Sequence, residues 1–570
     1  MVLFPVSHSC FLPLPLGQAI PPTPHAVSCS LPTMRAVRGY EEKNPEITRH
    51  LTNGYPRFLV HPFARRLAGH WVATSPELTG RTFWLTSSLP MARSLTAHLG
   101  ATRDAALVSR DGLHGVSHPD SAETFSRAKT FLQNIGGFLC SREAEDHLVR
   151  LGLLAAPHPE EIFTGDAPAE ILRQLCAALP GTTTRDLTLA NCGMSAIHAA
   201  FQAVAHLQAA RGRTVWLQLG WLYLDTIAIL QKFTAGPADY VYVRDVSDLG
   251  ALTRIFAAHG PQIAGVVAEV PTNPLIQTPE LAAIATLCRQ HGARLIVDPS
   301  IVSAFNLDVL PHADLVVSSL TKYTASEGDL TAGFVAVNPA GPDAAALRSA
   351  VAAAAEPLYS RDAARLAWQI GRTPTILAQI HAGTARVAAF LENHPAVQDV
   401  FWALHPSSRE NYLKLARTPD ATGGMITFTL RQGGALEKFY DRLRLPKGPS
   451  FGMKTTLICP YMYLAHYDLV TTPAGLAELA ASKLDPDLLR LCIGTEPVEE
   501  IISALAEALA LPGVLSRAAR LRPSASFRPG TCHVLRDINP GACPPNHCHV
   551  LRDMFPAGLS ARRREWRLAG

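Results

Sequence analysis

Lys322 lies in Ser319-Leu320-Thr321-Lys322-Tyr323, directly after an apolar run (313–318) that reads as a short buried strand. A lysine placed there between hydroxyls is either a solvated surface charge, the commoner fate of lysine, or an amine held in a pocket to condense with an aldehyde cofactor. In the second case Ser319 and Thr321 face a phosphate, because hydroxyls donate well to phosphate oxygens. Upstream, Asp298 closes a second strand (293–298), broken behind it by Pro299-Ser300. An acid at the C-terminal end of a buried parallel strand points into the crevice where open α/β sheets bind ligands. A carboxylate in that crevice can hold a pyridine nitrogen protonated, which makes pyridoxal phosphate an electron sink; a helix cap or turn former is the alternative. A third strand (265–268) runs into Glu269-Val270-Pro271-Thr272-Asn273-Pro274-Leu275. Its two prolines make a rigid turn that presents Asn273 as an amide donor.

Asn191-Cys192-Gly193-Met194-Ser195-Ala196-Ile197, then Glu269 to Pro274, Asp298 and Ser319 to Tyr323 follow one another in an order that resembles the cysteine and methionine metabolism enzymes. These are pyridoxal-phosphate enzymes of fold type I, with cystathionine γ-synthase as the type member, and the resemblance covers residues 185–510. It implies an α/β fold: a large domain with a mostly parallel seven-stranded sheet flanked by helices, and a smaller α/β C-terminal domain. It also implies pyridoxal 5′-phosphate on Lys322, with Asp298 at the pyridine nitrogen and Ser319 and Thr321 at the phosphate.

The remaining site residues follow from the same resemblance. Tyr55 and Arg57, in Gly54-Tyr55-Pro56-Arg57-Phe58, match a Tyr-x-Arg pair that reaches a neighbouring subunit's cofactor phosphate from an N-terminal arm. A phenol and a guanidinium suit that task because both donate to phosphate oxygens; taken alone the pair also fits a surface arm. The arm and the long N-terminal half are similar to the fungal-type cystathionine γ-synthases. Gly193 and Met194 sit where a turn feeds a helix (195–207), whose N-terminus offers free amides and a positive dipole end. Tyr223 stands where the family carries a ring-stacking tyrosine that assists proton transfer, but Leu224 and Asp225 replace the family's two glycines; Tyr223 as a core aromatic is the alternative. Asn273, Ser450 and Arg490 correspond to substrate contacts. Arg490 lies on an otherwise apolar strand, which is costly without an anionic partner. That partner is the α-carboxylate of an amino acid or, structurally, Glu496 or another acid. Cys192 has no base nearby and reads as a small buried residue. Spread histidines at 114, 118 and 147 give no metal pattern.

The implied activity is γ-replacement: an O-acylhomoserine joined to cysteine to give cystathionine, a transsulfuration step of methionine biosynthesis. A cystathionine or methionine lyase and a homoserine-ester sulfhydrylase use the same scaffold. A non-catalytic paralogue is the third reading, supported by the altered tyrosine loop and by Ser326-Glu327-Gly328-Asp329, which lacks a family histidine.

Composition agrees with a globular enzyme. Of 570 residues 48% are hydrophobic and 17% charged, with a formal net charge of +4, so neither nucleic acid nor an anionic surface is implied as partner. No apolar run approaches the ~20 residues that span a membrane, and 11 scattered cysteines fit a reducing, cytoplasmic setting. The expected partners are small amino-acid substrates and further copies of the chain, in a homodimer or homotetramer with a shared active site. The expected organisation is a flexible leader (1–50), with Met34 as an alternative start, an arm contacting the neighbouring subunit (51–70) and an insertion (71–184). The large domain (185–358), the small domain (359–511) and a Pro- and Arg-rich disordered tail (512–570) complete it.

Overall fold

The computed structural model describes residues 11–100 and 104–510, so part of the expected leader and the tail beyond 510 lie outside the described residues. A short antiparallel pair, β1 (Ala19–Ile20) and β2 (Ser28–Cys29), begins it. A three-stranded antiparallel sheet follows, with β3 (Arg81–Thr86), β4 (Ala106–Arg110) and β5 (Leu113–Pro119) in the order β3-β5-β4. The large sheet comprises β6 (Leu187–Ala190), β7 (Val215–Leu219), β8 (Tyr240–Val243), β9 (Ile263–Glu269), β10 (Arg294–Asp298), β11 (Leu315–Ser319) and β12 (Gly333–Val337). Its order is β6-β12-β11-β10-β9-β7-β8. The C-terminal sheet, β13 (Val397–Trp402), β14 (Met425–Leu430), β15 (Leu457–Pro460) and β16 (Leu489–Cys492), is antiparallel in the order β13-β14-β16-β15.

Strands β9, β10 and β11 are near-continuous runs of Val, Ile, Leu and Ala buried on both faces, as a sheet covered by helices on both sides requires. Their parallel pairing brings their C-terminal ends to one edge, where Glu269 and Asp298 are direct register partners. The exception to the parallel pattern is β12, which runs antiparallel to both β11 and β6. The segment between β11 and β12 contains no crossover helix, and without one a strand can return only in the opposite sense.

The expected flexible leader is corrected for its described part. Cys29, Leu31, Met34 and Val37 are fully buried in one apolar cluster with Ile426, Phe428, Tyr440 and Leu491 of the C-terminal lobe. Tyr440 Oη donates to the Leu31 carbonyl at 3.0 Å. The proline-rich composition that suggested disorder instead serves a strap laid across that lobe. Helix Ala167–Ala178, placed by sequence in the insertion, contributes Ile171 and Leu175 to the core of the large sheet.

Candidate active site

A cavity of about 340 Å³ opens at the C-terminal edge of β9, β10 and β11, between the large sheet and the C-terminal lobe. Lys322, Asp298, Glu269, Asn273, Ser319, Gly193, Met194, Tyr223, Tyr55, Arg57, Ser450 and Arg490 all line it. The sequence scattered these residues over more than four hundred positions, and the sheet edge gathers them.

Lys322 occupies the turn that follows β11. Its Nζ donates to Ser450 Oγ at 2.6 Å and lies 4.6 Å from the Tyr55 ring centroid and 4.7 Å from that of Phe451. Burial, with Arg490 and Arg57 nearby, holds the amine well below the usual lysine range. The turn is pinned from the other side: Tyr323 N–H donates to the Gly452 carbonyl at 2.6 Å. Ser450 itself has φ +78°, a left-handed conformation rare for a residue with a side chain and typical of strained functional sites.

Asp298 and Glu269 end adjacent strands, so two carboxylates share a poorly solvated floor. Burial pushes Asp298 up to about 6, although Ser300 N–H donates to it at 2.9 Å. Burial and the neighbouring Asp298 push Glu269 well above the ordinary carboxyl range. Glu269 Oε1 accepts the Tyr223 N–H at 2.5 Å, whereas Oε2 and the nearby Asn273 Oδ1 are buried with no hydrogen-bond partner. Orphaned buried acceptors are costly in a closed core; both face the cavity that a ligand would fill.

The helix Gly193–Ala209 starts beside Ser319, and a Cβ on Gly193 would stand 2.7 Å from Ser319 Cβ, so only glycine permits this approach. Arg490, on β16, donates to the Ser450 carbonyl at 3.4 Å and stacks on Tyr461 at 4.7 Å. Glu496 accepts from Thr456 instead of Arg490, and Arg490 makes no ion pair among the described residues; the acid that its charge favours is Glu269 in the same cavity.

One expectation is corrected here. Thr321 does not line the cavity: its hydroxyl accepts Ala332 N–H at 3.1 Å and donates to that residue's carbonyl at 3.4 Å, closing the turn internally. Tyr55 and Arg57 line the cavity of their own chain. Arg57 Nη2 donates to Tyr223 Oη at 2.5 Å and Nη1 pairs with Asp225 at 2.6 Å. Leu224 and Asp225, which stand where the family carries two glycines, open a helix, Leu224–Phe233.

Sequence reasoning gave no role to Glu269, Asp225 or Tyr461. Glu269 was within reach, because it ends a buried strand in the same way as Asp298. Tyr461, which accepts from Asn273 Nδ2 at 2.8 Å, carried no signal apart from its neighbours in space.

A seven-stranded, mostly parallel sheet with a buried lysine, a strand-end acid and a helix N-terminus at one edge defines a pyridoxal-phosphate enzyme of fold type I. The chain belongs to the Cys/Met metabolism PLP-dependent enzyme family, which matches residues 164–510. It is 38% identical to the L-2-amino-4-chloropent-4-enoate dechlorinase/desaturase of Streptantibioticus cattleyicolor, over 86% of this chain and 97% of that one. It is 26% identical to the cystathionine gamma-synthase of Neurospora crassa, over 87% of this chain and 98% of that one. Among solved structures, cystathionine gamma-lyase from Lactobacillus plantarum superposes with a TM-score of 0.52 at 20% identity, covering 63% of this chain and 92% of its own, which shows the shared fold. No described helix is long and apolar enough to cross a membrane.

The residues present fit the family's cofactor, pyridoxal 5′-phosphate. A buried amine held below the usual lysine range suits its aldehyde, a strand-end carboxylate its ring nitrogen, and a helix N-terminus beside Ser319 its phosphate.

Proposed function

We propose that the enzyme removes a substituent from the γ-carbon of a free 2-amino acid. The observation that carries this is the placement in one cavity of Lys322, buried and donating to Ser450 Oγ at 2.6 Å, with Arg490, a buried guanidinium that makes no ion pair among the described residues. Pyridoxal 5′-phosphate held here and joined to the substrate's amine in place of Lys322 would draw electron density from the bonds at the amino acid's α-carbon, leaving the lysine amine free to move protons. Lys322, Tyr223, Tyr55, Arg57, Gly193, Met194, Asp298 and Ser319 would hold it; Asn273, Ser450 and Arg490 would hold the substrate. Arg490 takes the α-carboxylate in a bidentate fork and so fixes which α-substituent faces Lys322. Lys322, whose amine burial and the nearby guanidiniums hold well below the usual lysine range, accepts the proton from Cα. Tyr223, whose phenol burial keeps protonated, holds a proton for the departing γ-group.

Two fates of the γ-carbon are open, and each has its own support. Addition of cysteine to an O-acylhomoserine gives cystathionine. In its favour, the cavity's outer wall carries Glu41, Lys43 and Lys129, an acid and two amines that suit a second zwitterion. Elimination without an acceptor gives an unsaturated product. It is supported by the dechlorinase/desaturase relative, whose named substrate bears chlorine on the γ-carbon.

The test loads the protein with cofactor and supplies O-succinyl-, O-acetyl- and O-phosphohomoserine, each with and without cysteine, and separately 2-amino-4-chloropent-4-enoate. Cystathionine that forms only with cysteine establishes replacement. Chloride release independent of cysteine establishes elimination. Turnover of cystathionine to 2-oxobutanoate, with no reaction of the γ-substituted amino acids supplied, would replace the proposal with a lyase.

A further inference from the structure

Arg490 is buried on β16 between Thr427 of β14 and Cys459 of β15, its register partners. It makes no ion pair among the described residues, and Glu269, the acid that its charge favours, is held on the Tyr223 N–H instead. What stands against the guanidinium is aromatic. Its central carbon lies over the Tyr461 ring at 4.7 Å and over the Phe451 ring at 5.2 Å. Cation–π contact at such distances is attractive and strengthens as water is excluded. The two rings therefore offset part of the cost that an ion pair offsets for buried charges elsewhere.

Both rings are themselves held. Tyr461 Oη accepts from Asn273 Nδ2 at 2.8 Å, and its ring meets that of His466 edge to face at 5.8 Å. His466 Nε2 in turn accepts from Trp221 Nε1 at 3.1 Å. Asn273 follows β9 and Trp221 follows β7, so this ring of the C-terminal lobe is tied to the large sheet at two points. Phe451 follows the left-handed Ser450, and its ring also stands 4.7 Å from Lys322 Nζ. One ring thus spaces the cofactor lysine from the guanidinium.

We propose that Tyr461 and Phe451 are positioning residues that set specificity: they cover the faces of Arg490 and leave its N–H edge to a ligand, so that the site takes a flat carboxylate in preference to a tetrahedral anion. A carboxylate meets the guanidinium fork in its own plane with two parallel bonds. A phosphonate carries three oxygens about a tetrahedral centre. Its third oxygen is driven towards a ring face, which is itself negative and repels it.

The inference rests on the reading of Arg490 as the receptor of the substrate's α-carboxylate, and not on what happens at the γ-carbon. The test ligands therefore carry no γ-substituent: L-alanine, and the 1-aminoethylphosphonic acid of the same hand. An enzyme that binds L-alanine as described and turns over no γ-substituted amino acid would end the proposed function and leave this inference intact.

The experiment titrates cofactor-loaded wild type and variants with each ligand by isothermal calorimetry. Wild type should bind L-alanine more tightly than the phosphonate. Tyr461→Leu keeps apolar bulk and removes the ring; it should weaken L-alanine by roughly 3–30-fold, the worth of one desolvated cation–π contact. The phosphonate should lose less, so that the preference shrinks. For a γ-substituted amino acid that is turned over, KM should carry the change and kcat move less. Tyr461→Phe keeps the ring, gives up the bond to Asn273, and should retain most of the preference. Phe451→Leu should act in the same direction as Tyr461→Leu, and decides the matter where the latter yields no folded protein. Wild type without a preference for the carboxylate would overturn the proposal. So would leucine variants that weaken both ligands equally or that both fail to fold, since the rings would then be architecture. A Tyr461→Phe enzyme as impaired as Tyr461→Leu would assign the effect to the hydroxyl and overturn it as well.

Discussion

Around Arg142 every buried charge meets its opposite, whereas around Lys322 buried polar groups are left without partners. Arg142, fully buried, pairs with Glu160 at 2.6 Å and Asp362 at 2.8 Å and donates to the Asp329 carbonyl at 2.9 Å. Arg365 pairs with Asp329 at 2.7 Å, and Arg361 with Glu145 at 2.5 Å, which in turn holds His25 at 3.2 Å. This network ties the N-terminal strap, the middle region, the segment after Lys322 and the helix Ser360–Ile370 into one block. The cavity shows the reverse: an amine held well below the usual lysine range, two carboxyls pushed towards their neutral forms and, among the described residues, a guanidinium with no ion pair and two orphaned acceptors. Burying charge is tolerable when it is paired within the protein or when a ligand brings the pair. The first region is therefore architecture and the second is a place for a ligand.

The comparison can be broken most severely at Lys322. Lys322→Ala should abolish turnover, a loss of more than about 1000-fold, while the ligand-free protein keeps its melting temperature. A variant that turns over normally would remove the lysine from the chemistry. At Arg142 the expectation is inverted: Arg142→Ala takes the buried guanidinium away from Glu160 and Asp362 and should cost about 3–5 kcal/mol of stability in a denaturant titration, whether or not cofactor is present. A loss below about 1 kcal/mol would make the network ornamental. Arg490→Ala should raise KM for the amino acid by roughly 10–100-fold, the worth of a charge-assisted hydrogen bond, with little change in melting temperature. An unchanged KM with a lost fold would assign Arg490 to the architecture instead.

The smallest effect concerns Asp298. A carboxyl whose folded value is raised to about 6 binds more protons folded than unfolded between about pH 4 and 6. The stability of the cofactor-free protein should therefore fall as pH rises through that window, by on the order of 2 kcal/mol. Asp298→Asn should flatten that slope. A wild-type curve already flat over the same range would mean that the carboxyl is solvated.

Much of this was legible in the chain itself, for physical reasons. Buried parallel strands advertise themselves as unbroken apolar runs, so β9, β10 and β11 and the residues at their ends could be placed from sequence. The direction of β12 could not, because an apolar strand reads the same way in either sense. Thr321 was misjudged because a hydroxyl next to a catalytic lysine serves a turn as readily as a phosphate. Asp225 was visible only as a departure from the family's pattern, since its three donors come from residues about 90 or more positions away. The strap was misread because proline-rich composition reports the absence of helix and strand but says nothing about burial.

That strap imposes an order on synthesis. Leu31 leaves the ribosome 409 residues before Tyr440, the partner that caps its carbonyl. At about 5–20 residues per second the interval is roughly 20–80 s. Throughout it Cys29, Leu31, Met34 and Val37 have none of the C-terminal surfaces that later cover them. Contacts of such sequence separation are also the slowest to form once the chain is released. A segment made early is thus among the last to be sheltered, and yield in a cell will depend on what attends a nascent chain during that wait.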